Sequence, residues 1–378
     1  MMNIFDEIAQ REHEQVIFCS DKRSNLRAII AIHNTTLGPA LGGARMWTYA
    51  NDRDALIDAL RLSRGMTYKA AVAGLNLGGG KAVIIGDPNK NKTEALFRTY
   101  GRFVEGLAGR YITAEDVGTS EQDMEWVRME TKYVTGIDRA LGGGGDPSPV
   151  TAYGVYYALK ACVKELTGND SLKGRNIAVQ GAGHVGSYLC DHLAKEGAKI
   201  YITDIYEEKV KDIIQKTKAT FISPDKIYQV DADIFCPCAL GAIINDETIP
   251  KLKARIIAGG ANNQLADEHK HGQMLIERGI LYAPDYAVNA GGLISVANEL
   301  EGNPPERAMR QAEGIYDTIL NIFAISKREK IPTYVASDRL AQDRITSIGH
   351  IRKLYAGNSG FDGKFGSGNH TQRQFSNR

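Results

Sequence analysis

Asn176-Ile177-Ala178-Val179-Gln180-Gly181-Ala182-Gly183-His184-Val185-Gly186 runs from an apolar stretch straight into a Gly-x-Gly-x-x-Gly turn. The first five residues read as a buried strand, and His184 to Glu196 carries apolar residues at helical spacing. At such a junction the first glycine makes the turn and the second lets a pyrophosphate reach the helix N-terminus. The third lets helix and strand pack closely. The turn pattern alone is common; its place between strand and helix gives it weight. The next strand, Lys199–Thr203, is followed by Asp204, 23 residues beyond Gly181, where an acid bonds the adenosine ribose hydroxyls of a dinucleotide. A carboxylate there repels a 2′-phosphate, and no arginine follows in the next ten residues, which favours NAD over NADP.

Outward from this turn, strands and helices alternate. Downstream come a helix over Glu207–Thr217 and strands at Asp233–Cys236 and Arg255–Ala258; upstream lies a helix over Thr151–Leu166. That order predicts a parallel, doubly wound sheet. Earlier still, Glu14–Cys19 and Arg27–His33 read as strands and Asp52–Arg64 as a helix. Thr93–Leu107 is a second helix with Thr93 as its N-cap. Gly142–Gly145 and Asp146-Pro147-Ser148-Pro149 mark a hinge between two α/β halves. From Asn289 onward three amphipathic helices are expected, ending near Tyr355. The expected divisions are 1–140 for a substrate and assembly domain, 141–328 for a Rossmann domain, and 329–355 for a helix returning to the first domain. The Gly-, Ser- and Asn-rich 356–378 is expected to be disordered, with an arm that packs on a neighbouring subunit as the rival reading.

Lys and Arg (46) balance Asp and Glu (45), so nothing points to nucleic acid or an anionic membrane as partner. The first ten residues are charged and no apolar run approaches the roughly 18 residues of a membrane span, which predicts a cytoplasmic protein. The five cysteines lack CxxC spacing and read as reduced thiols. The Cys236–Cys238 pair has no second pair to complete a metal site, and His269 and His271 read as surface groups beside Lys270; no metal is expected.

Two lysines stand out. Lys69 and Lys81, 12 residues apart, sit among small and apolar residues, Lys81 after Gly78-Gly79-Gly80 on an expected loop. Lysine seldom occupies such surroundings without a task. A phosphate loop is excluded, because Leu75 stands at its first glycine and Ala82 at its metal-binding hydroxyl. Asp116 follows a short strand and precedes the helix Ser120–Thr131, so it reads equally as a helix cap or a catalyst.

These residues fall in a familiar series. Gly38–Gly43, Met66–Ala71, Asn76–Lys81, Thr113–Gly118, Pro147–Gly154, Gly181–Gly186, Pro237–Gly241, Ala261–Gln264 and Ala283–Gly292 resemble, in this order, the glutamate/leucine/phenylalanine/valine dehydrogenases, and most of all their leucine-specific branch. The resemblance covers residues from about 12 to about 350. It implies an NAD-dependent amino-acid dehydrogenase that assembles as a homo-oligomer, commonly an octamer. It also implies roles: Lys69 binding the substrate carboxylate with the help of Asn289, Gly42 in the substrate site, Lys81 as general acid/base, and Asp116 exchanging protons with the amine. Thr151, Cys238, Ala239, Asn262 and Asn263 would line the cofactor. Leu41, Ala114, Leu293 and Val296 would line the side-chain pocket. None of those four is cationic, so a glutamate side chain would lie unpaired. Ala114 favours branched-chain substrates. Leu293, a valine in typical leucine-specific enzymes, occurs in some aromatic-specific ones, which keeps phenylalanine and tryptophan open. A non-catalytic NAD-sensing protein of the same fold is the reading from another class; a degenerate relative would be expected to lose Lys69, Lys81 or Asp116, and all three are present.

Overall fold

The computed structural model describes residues 4–138 and 143–351. After a short helix α1 (Ile4–Gln10), the first half is a five-stranded sheet of β1 (Gln15–Asp21), β2 (Leu26–Asn34), β3 (Ala40–Trp47), β4 (Gly78–Ile85) and β5 (Tyr111–Glu115), in the order β1-β2-β4-β3-β5. β3 runs parallel to β4 and β5, while β2 is antiparallel to β1 and β4. Side chains alternate between faces along a strand. Ala28, Ile30, Ile32, Ala82 and Ile84 therefore share a core with Leu96, Phe97, Tyr100 and Val104 of α3 (Glu94–Glu105) and Met124 and Val127 of α4 (Glu121–Arg128). Ile29, Ala31 and Val83 face the other way, against Ala55, Leu56, Ala59 and Leu60 of α2 (Asp52–Val72). Lys81 lies two residues from Val83, and Arg45 pairs directly with Val83, so both belong to this second face.

The glycines before Lys81 form strand β4, not a loop. A Cβ at Gly79 would stand 2.1 Å from the Thr67 nitrogen of α2, and one at Gly80 would stand 2.6 Å from the Tyr111 ring on the opposite face. Missing side chains let helix and strand touch, which a pattern of three glycines in sequence does not distinguish from a loop. α2 runs on past Arg64 to Val72, and this places Lys69 in its last turn. Thr93 caps α3 by accepting from the Leu96 nitrogen.

Two histidines hold α2 from beneath. His13 Nε2 lies 3.0 Å from the Leu60 carbonyl and 2.9 Å from Ser63 Oγ, and His33 Nδ1 lies 2.8 Å from Thr67 Oγ1. Their rings meet edge-on with centroids 4.8 Å apart. Burial pulls His13 down to about 4 and His33 down to about 3, the charge of His13 adding to the latter. Both are thus neutral in the fold, whereas an unfolded chain protonates them below about pH 6.5. Their folded values being depressed, the unfolded state binds more protons in acid, so stability holds above about pH 6.5 and falls toward pH 4. The pair is expected to remove roughly 4 kcal/mol near pH 5. Urea midpoints at neutral pH and near pH 5 check this, and the acid loss should shrink in His33→Gln; a midpoint insensitive to pH would refute it.

The second half is a parallel six-stranded sheet, β11-β10-β9-β6-β7-β8. Its strands are β6 (Asn176–Gln180), β7 (Lys199–Thr203), β8 (Thr220–Phe221), β9 (Ile234–Pro237), β10 (Ile256–Ile257) and β11 (Leu281–Tyr282). The chain winds outward from β6 through β8, then crosses back to β9. Such a reversal opens a crevice at the strand ends, where doubly wound folds take their ligands. Helices α5 (Ser148–Thr167), α6 (His184–Glu196), α7 (Glu207–Thr217), α8 (Glu268–Glu277) and α9 (Asp285–Val288) belong to this half.

Four helices follow Asn289 where three were expected: α10 (Gly291–Glu301), α11 (Pro305–Glu313), α12 (Ile315–Glu329) and α13 (Thr333–Ile351). The boundary at Gly314 splits one amphipathic stretch into α11 and α12. α13 returns to the first half: Arg344 donates to the Leu75 and Gly74 carbonyls at 2.6 and 3.0 Å, just past the end of α2. The expectation for the tail lies outside the described residues. His271, read as a surface group, is buried, and its Nδ1 accepts from the Asp267 nitrogen at 2.8 Å at the start of α8.

Candidate active site

Lys81 reaches from β4 to Asp116, just past the end of β5, with Nζ 2.8 Å from Oδ2. Asp116 is not a helix cap: Ser120 caps α4 in a capping box with Asp123. The Asp116 backbone is instead fixed by Thr119, whose hydroxyl accepts from its nitrogen at 2.9 Å. β3 passes between at Gly43, where a Cβ would stand 2.9 Å from Asp116 Cβ. A side chain there would push the carboxylate out of reach. Lys69 reaches from α2 into the second half, its Nζ donating to Asn289 Oδ1 at 2.6 Å. Buried Asn289 in turn donates from Nδ2 to Asn262 Oδ1 at 2.7 Å.

The electrostatics follow from burial and these partners. Burial lowers the Lys81 ammonium below its ordinary value; Asp116 opposes the shift and Arg45 adds to it. Burial also brings Lys69 down to about 8, against the pull of Asp285 and with the help of Lys81. Burial works against the Asp116 carboxylate, but Lys81 and Arg45 outweigh it and hold it below the usual range. The result is an ionised acid beside two lysines whose ammonium forms burial disfavours.

Arg45 escaped the sequence reading. Its Nε donates to Asp116 Oδ2 at 3.0 Å, and its other arm reaches Asp58 of α2 at 3.1 Å. Asp58 also accepts from the Tyr49 hydroxyl at 2.8 Å. An arginine in the otherwise apolar strand Ala40–Trp47 was the available signal. Asp285, whose carboxylate is pushed up by burial, accepts from the Gln264 nitrogen at 2.8 Å and was likewise missed. It lies inside the stretch Ala283–Gly292, whose other residues drew attention to Asn289 alone.

Leu41, Leu293 and, partly buried, Val296 pack in one apolar cluster that joins the two halves. Ala114 sits two residues along β5 from Ile112, which pairs with Leu41, so it borders the same wall. Gly42 faces the other side: its carbonyl accepts from the Tyr111 hydroxyl at 2.5 Å, and a Cβ on it would meet the Gly80 carbonyl at 1.7 Å.

The crevice of the second sheet fits a dinucleotide. Gly181 has φ +114°, and a Cβ there would stand 2.8 Å from the Cys238 carbonyl carbon and 2.9 Å from the Ala239 nitrogen. A Cβ at Gly186 would meet the Gly181 carbonyl at 2.0 Å, whereas at Gly183 it would meet nothing within 4 Å. The turn is therefore closed at its first and third glycines and open at its second, where α6 presents backbone N–H groups with no side-chain cap. Exposed His184 and part-buried Val185 continue that first turn. Asp204 lies at this turn but is not free: its Oδ2 accepts from the Ala182 nitrogen at 2.7 Å and its Oδ1 from the Tyr206 nitrogen at 2.9 Å. Asn262 and Asn263 are exposed at the crevice rim, Asn263 with φ +49°. Thr151 abuts α10, since a Cβ at Gly292 would approach its hydroxyl to 2.9 Å.

Among known proteins, the family model for the Glu/Leu/Phe/Val dehydrogenase dimerisation domain matches residues 13–133. That for glutamate/leucine/phenylalanine/valine dehydrogenase matches 142–206 and 201–322. The chain belongs to the glutamate/leucine/phenylalanine/valine dehydrogenase family. It is an amino-acid dehydrogenase, acting on small molecules, and the family's chemistry calls for a nicotinamide cofactor. Leucine dehydrogenase of Thermoactinomyces intermedius is 60% identical over 354 residues, 94% of this chain and 96% of that protein. Phenylalanine dehydrogenase of Lysinibacillus sphaericus is 52% identical over 348 residues, 91% of each chain. The crystal structure of L-tryptophan dehydrogenase from Nostoc punctiforme superposes with a TM-score of 0.84 at 48% identity, covering 92% of this chain and 99% of that one. Among the described residues of this dehydrogenase, no helix is long and apolar enough to cross a membrane.

Proposed function

We propose that this dehydrogenase oxidises branched-chain aliphatic L-amino acids, leucine foremost, with NAD, releasing the 2-oxo acid and ammonium in a reversible reaction. The observation that carries the reading is the convergence of Lys69, Lys81 and Asp116, with Leu41 and Leu293 in the apolar cluster that joins the two halves. Lys69, with Asn289, receives the substrate carboxylate, which positions Cα. When bound, the nicotinamide accepts the hydride that leaves Cα. Neutral Lys81 then takes a proton from the water that attacks the resulting iminium carbon. Asp116 accepts a proton from the substrate amine and returns one to the departing nitrogen. Gly181–Gly186 carries the pyrophosphate, Asp204 turns to the ribose, and Thr151, Cys238, Ala239, Asn262 and Asn263 border the ring end.

Arg45 serves as a positioning residue. It holds Asp116 from the side opposite Lys81, and its permanent charge favours the neutral lysine.

The kinship with leucine dehydrogenases at 56–60% identity supports an aliphatic substrate. The resemblance supports a second reading, an aromatic amino acid, because it places Leu293 where a valine is expected in typical leucine-specific enzymes. A methylene changes preference by only about 1–3 kcal/mol, so a rate panel decides. Relative kcat/KM for leucine, valine, phenylalanine and tryptophan is expected to favour leucine. An aromatic preference above about tenfold would overturn the assignment. An octameric assembly in a reducing cytoplasm, where five free thiols persist, completes the reading.

A further inference from the structure

Cys236-Pro237-Cys238 lies at the end of β9, beside the turn at Gly181. The two sulfurs lie 3.7 Å apart across Pro237. Their surroundings differ. Cys236 is buried within the sheet core, while Cys238 is part-exposed at the crevice. One of the two S–H groups donates to the other sulfur, and that bond, with burial, pushes the Cys236 thiol up. The same bond, aided by the Gly260 N–H, pulls the Cys238 thiol down. A part-exposed cysteine at the crevice whose sulfur lies within reach of a buried one is the arrangement of an attacked and a resolving cysteine.

We propose that Cys236 and Cys238 form a reversible disulfide when the enzyme meets a peroxide, and that this bond weakens cofactor binding. The Cys238 thiolate attacks one peroxide oxygen; the O–O bond breaks, leaving Cys238 as a sulfenic acid and releasing hydroxide. The Cys236 sulfur then attacks the Cys238 sulfur, its proton leaves with the hydroxyl as water, and the S–S bond forms. Two thiols are oxidised by two electrons in all, and one peroxide is reduced. Drawing the sulfurs from 3.7 Å to about 2.05 Å pulls residue 238 toward the sheet. That movement reaches the glycine turn at once, because Cys238 donates its backbone N–H to the Gln180 carbonyl at 2.7 Å. A Cβ at Gly181 would already collide with the Cys238 backbone, so the turn has no slack there. A ring spanning one residue is strained, and thiols reopen it readily. Cys190 of α6, buried close to Cys238, is the rival partner.

The effect on binding rests on the cofactor reading above; the bond itself does not. Purified enzyme treated with hydrogen peroxide, alkylated and digested with trypsin tests both parts by mass spectrometry and kinetics. Both cysteines fall in one peptide, Ile227–Lys251, and Cys190 in another. The expected result is loss of two hydrogens in that peptide with neither thiol alkylated. The KM for NAD rises by about tenfold, equivalent to about 1.4 kcal/mol, and dithiothreitol reverses both. Cys236→Ala keeps its activity and, under the same treatment, its KM. A bond to Cys190, or a Cys236→Ala enzyme that loses cofactor affinity as fast as the parent, would overturn the proposal. A disulfide with unchanged KM overturns its link to the cofactor turn, while turnover of the untreated enzyme separately tests the reaction.

Discussion

Lys81→Ala is expected to lower kcat for leucine oxidation by about 10²–10⁴-fold while NADH binding persists, the loss of the proposed general base. The argument rests on position and charge together. An ordinary lysine, with a value near 10.4, holds its proton at neutral pH and is no base. Here burial destabilises the ammonium, and Arg45 beyond Asp116 adds a repulsion that Asp116 and, more distantly, Asp58 oppose. Lys69 and Asp285 complete the charged surroundings on the side of the second half. Because the folded value is lowered, the neutral lysine appears at lower pH than usual, and the ascending limb of kcat/KM moves down with it. Arg45→Gln removes one cause of that lowering. Its ascending limb is expected at higher pH, with Arg45→Lys restoring the position of the limb. Near-parental kcat in Lys81→Ala would remove the lysine from the chemistry; an Arg45→Gln profile that loses height without moving would reduce the arginine to a structural prop.

A second large effect is expected from Lys69→Ala, and it differs in kind. Removing one member of a buried charged pair costs about 2–5 kcal/mol, a drop of roughly 30- to 4,000-fold in kcat/KM, carried chiefly by KM for the amino acid. Lys69 also contributes positive charge near Lys81, so a smaller part of the loss should appear in kcat. KM for NAD should stay near its parental value, since the lysine enters from α2 of the first half. A loss confined to kcat, with KM for leucine unchanged, would mean that the carboxylate is held by another group.

Much of this architecture can be read from the chain because local signals agree with the global fold. β6, α6, β7 and α7 fall on the expected residues, since each is bounded by its own turn chemistry. What escaped has a common cause. Gly78-Gly79-Gly80 looks like a loop in one dimension and becomes a strand only because α2 and Tyr111 fill the space on its two faces. Asp116 remained ambiguous because the competing cap, Ser120, becomes decisive only once its hydrogen bond to the Asp123 nitrogen is drawn. Arg45 was invisible for a further reason: its partners lie 13 and 71 positions away, and no spacing rule pairs a strand arginine with acids so far apart. The apolar cluster posed the same difficulty, for Leu41 and Leu293 join one core only when the two halves come together.

The bond from Lys69 to Asn289 joins the two halves through the same ammonium proposed above to meet the substrate. An ammonium has three donors, and Asn289 uses one. A carboxylate entering the crevice therefore need not break this link; it occupies the donors that remain and ties itself to both halves of the molecule. The amino acid then acts as a keystone, and an amine of identical side chain lacking the carboxylate would leave the arch without its central stone.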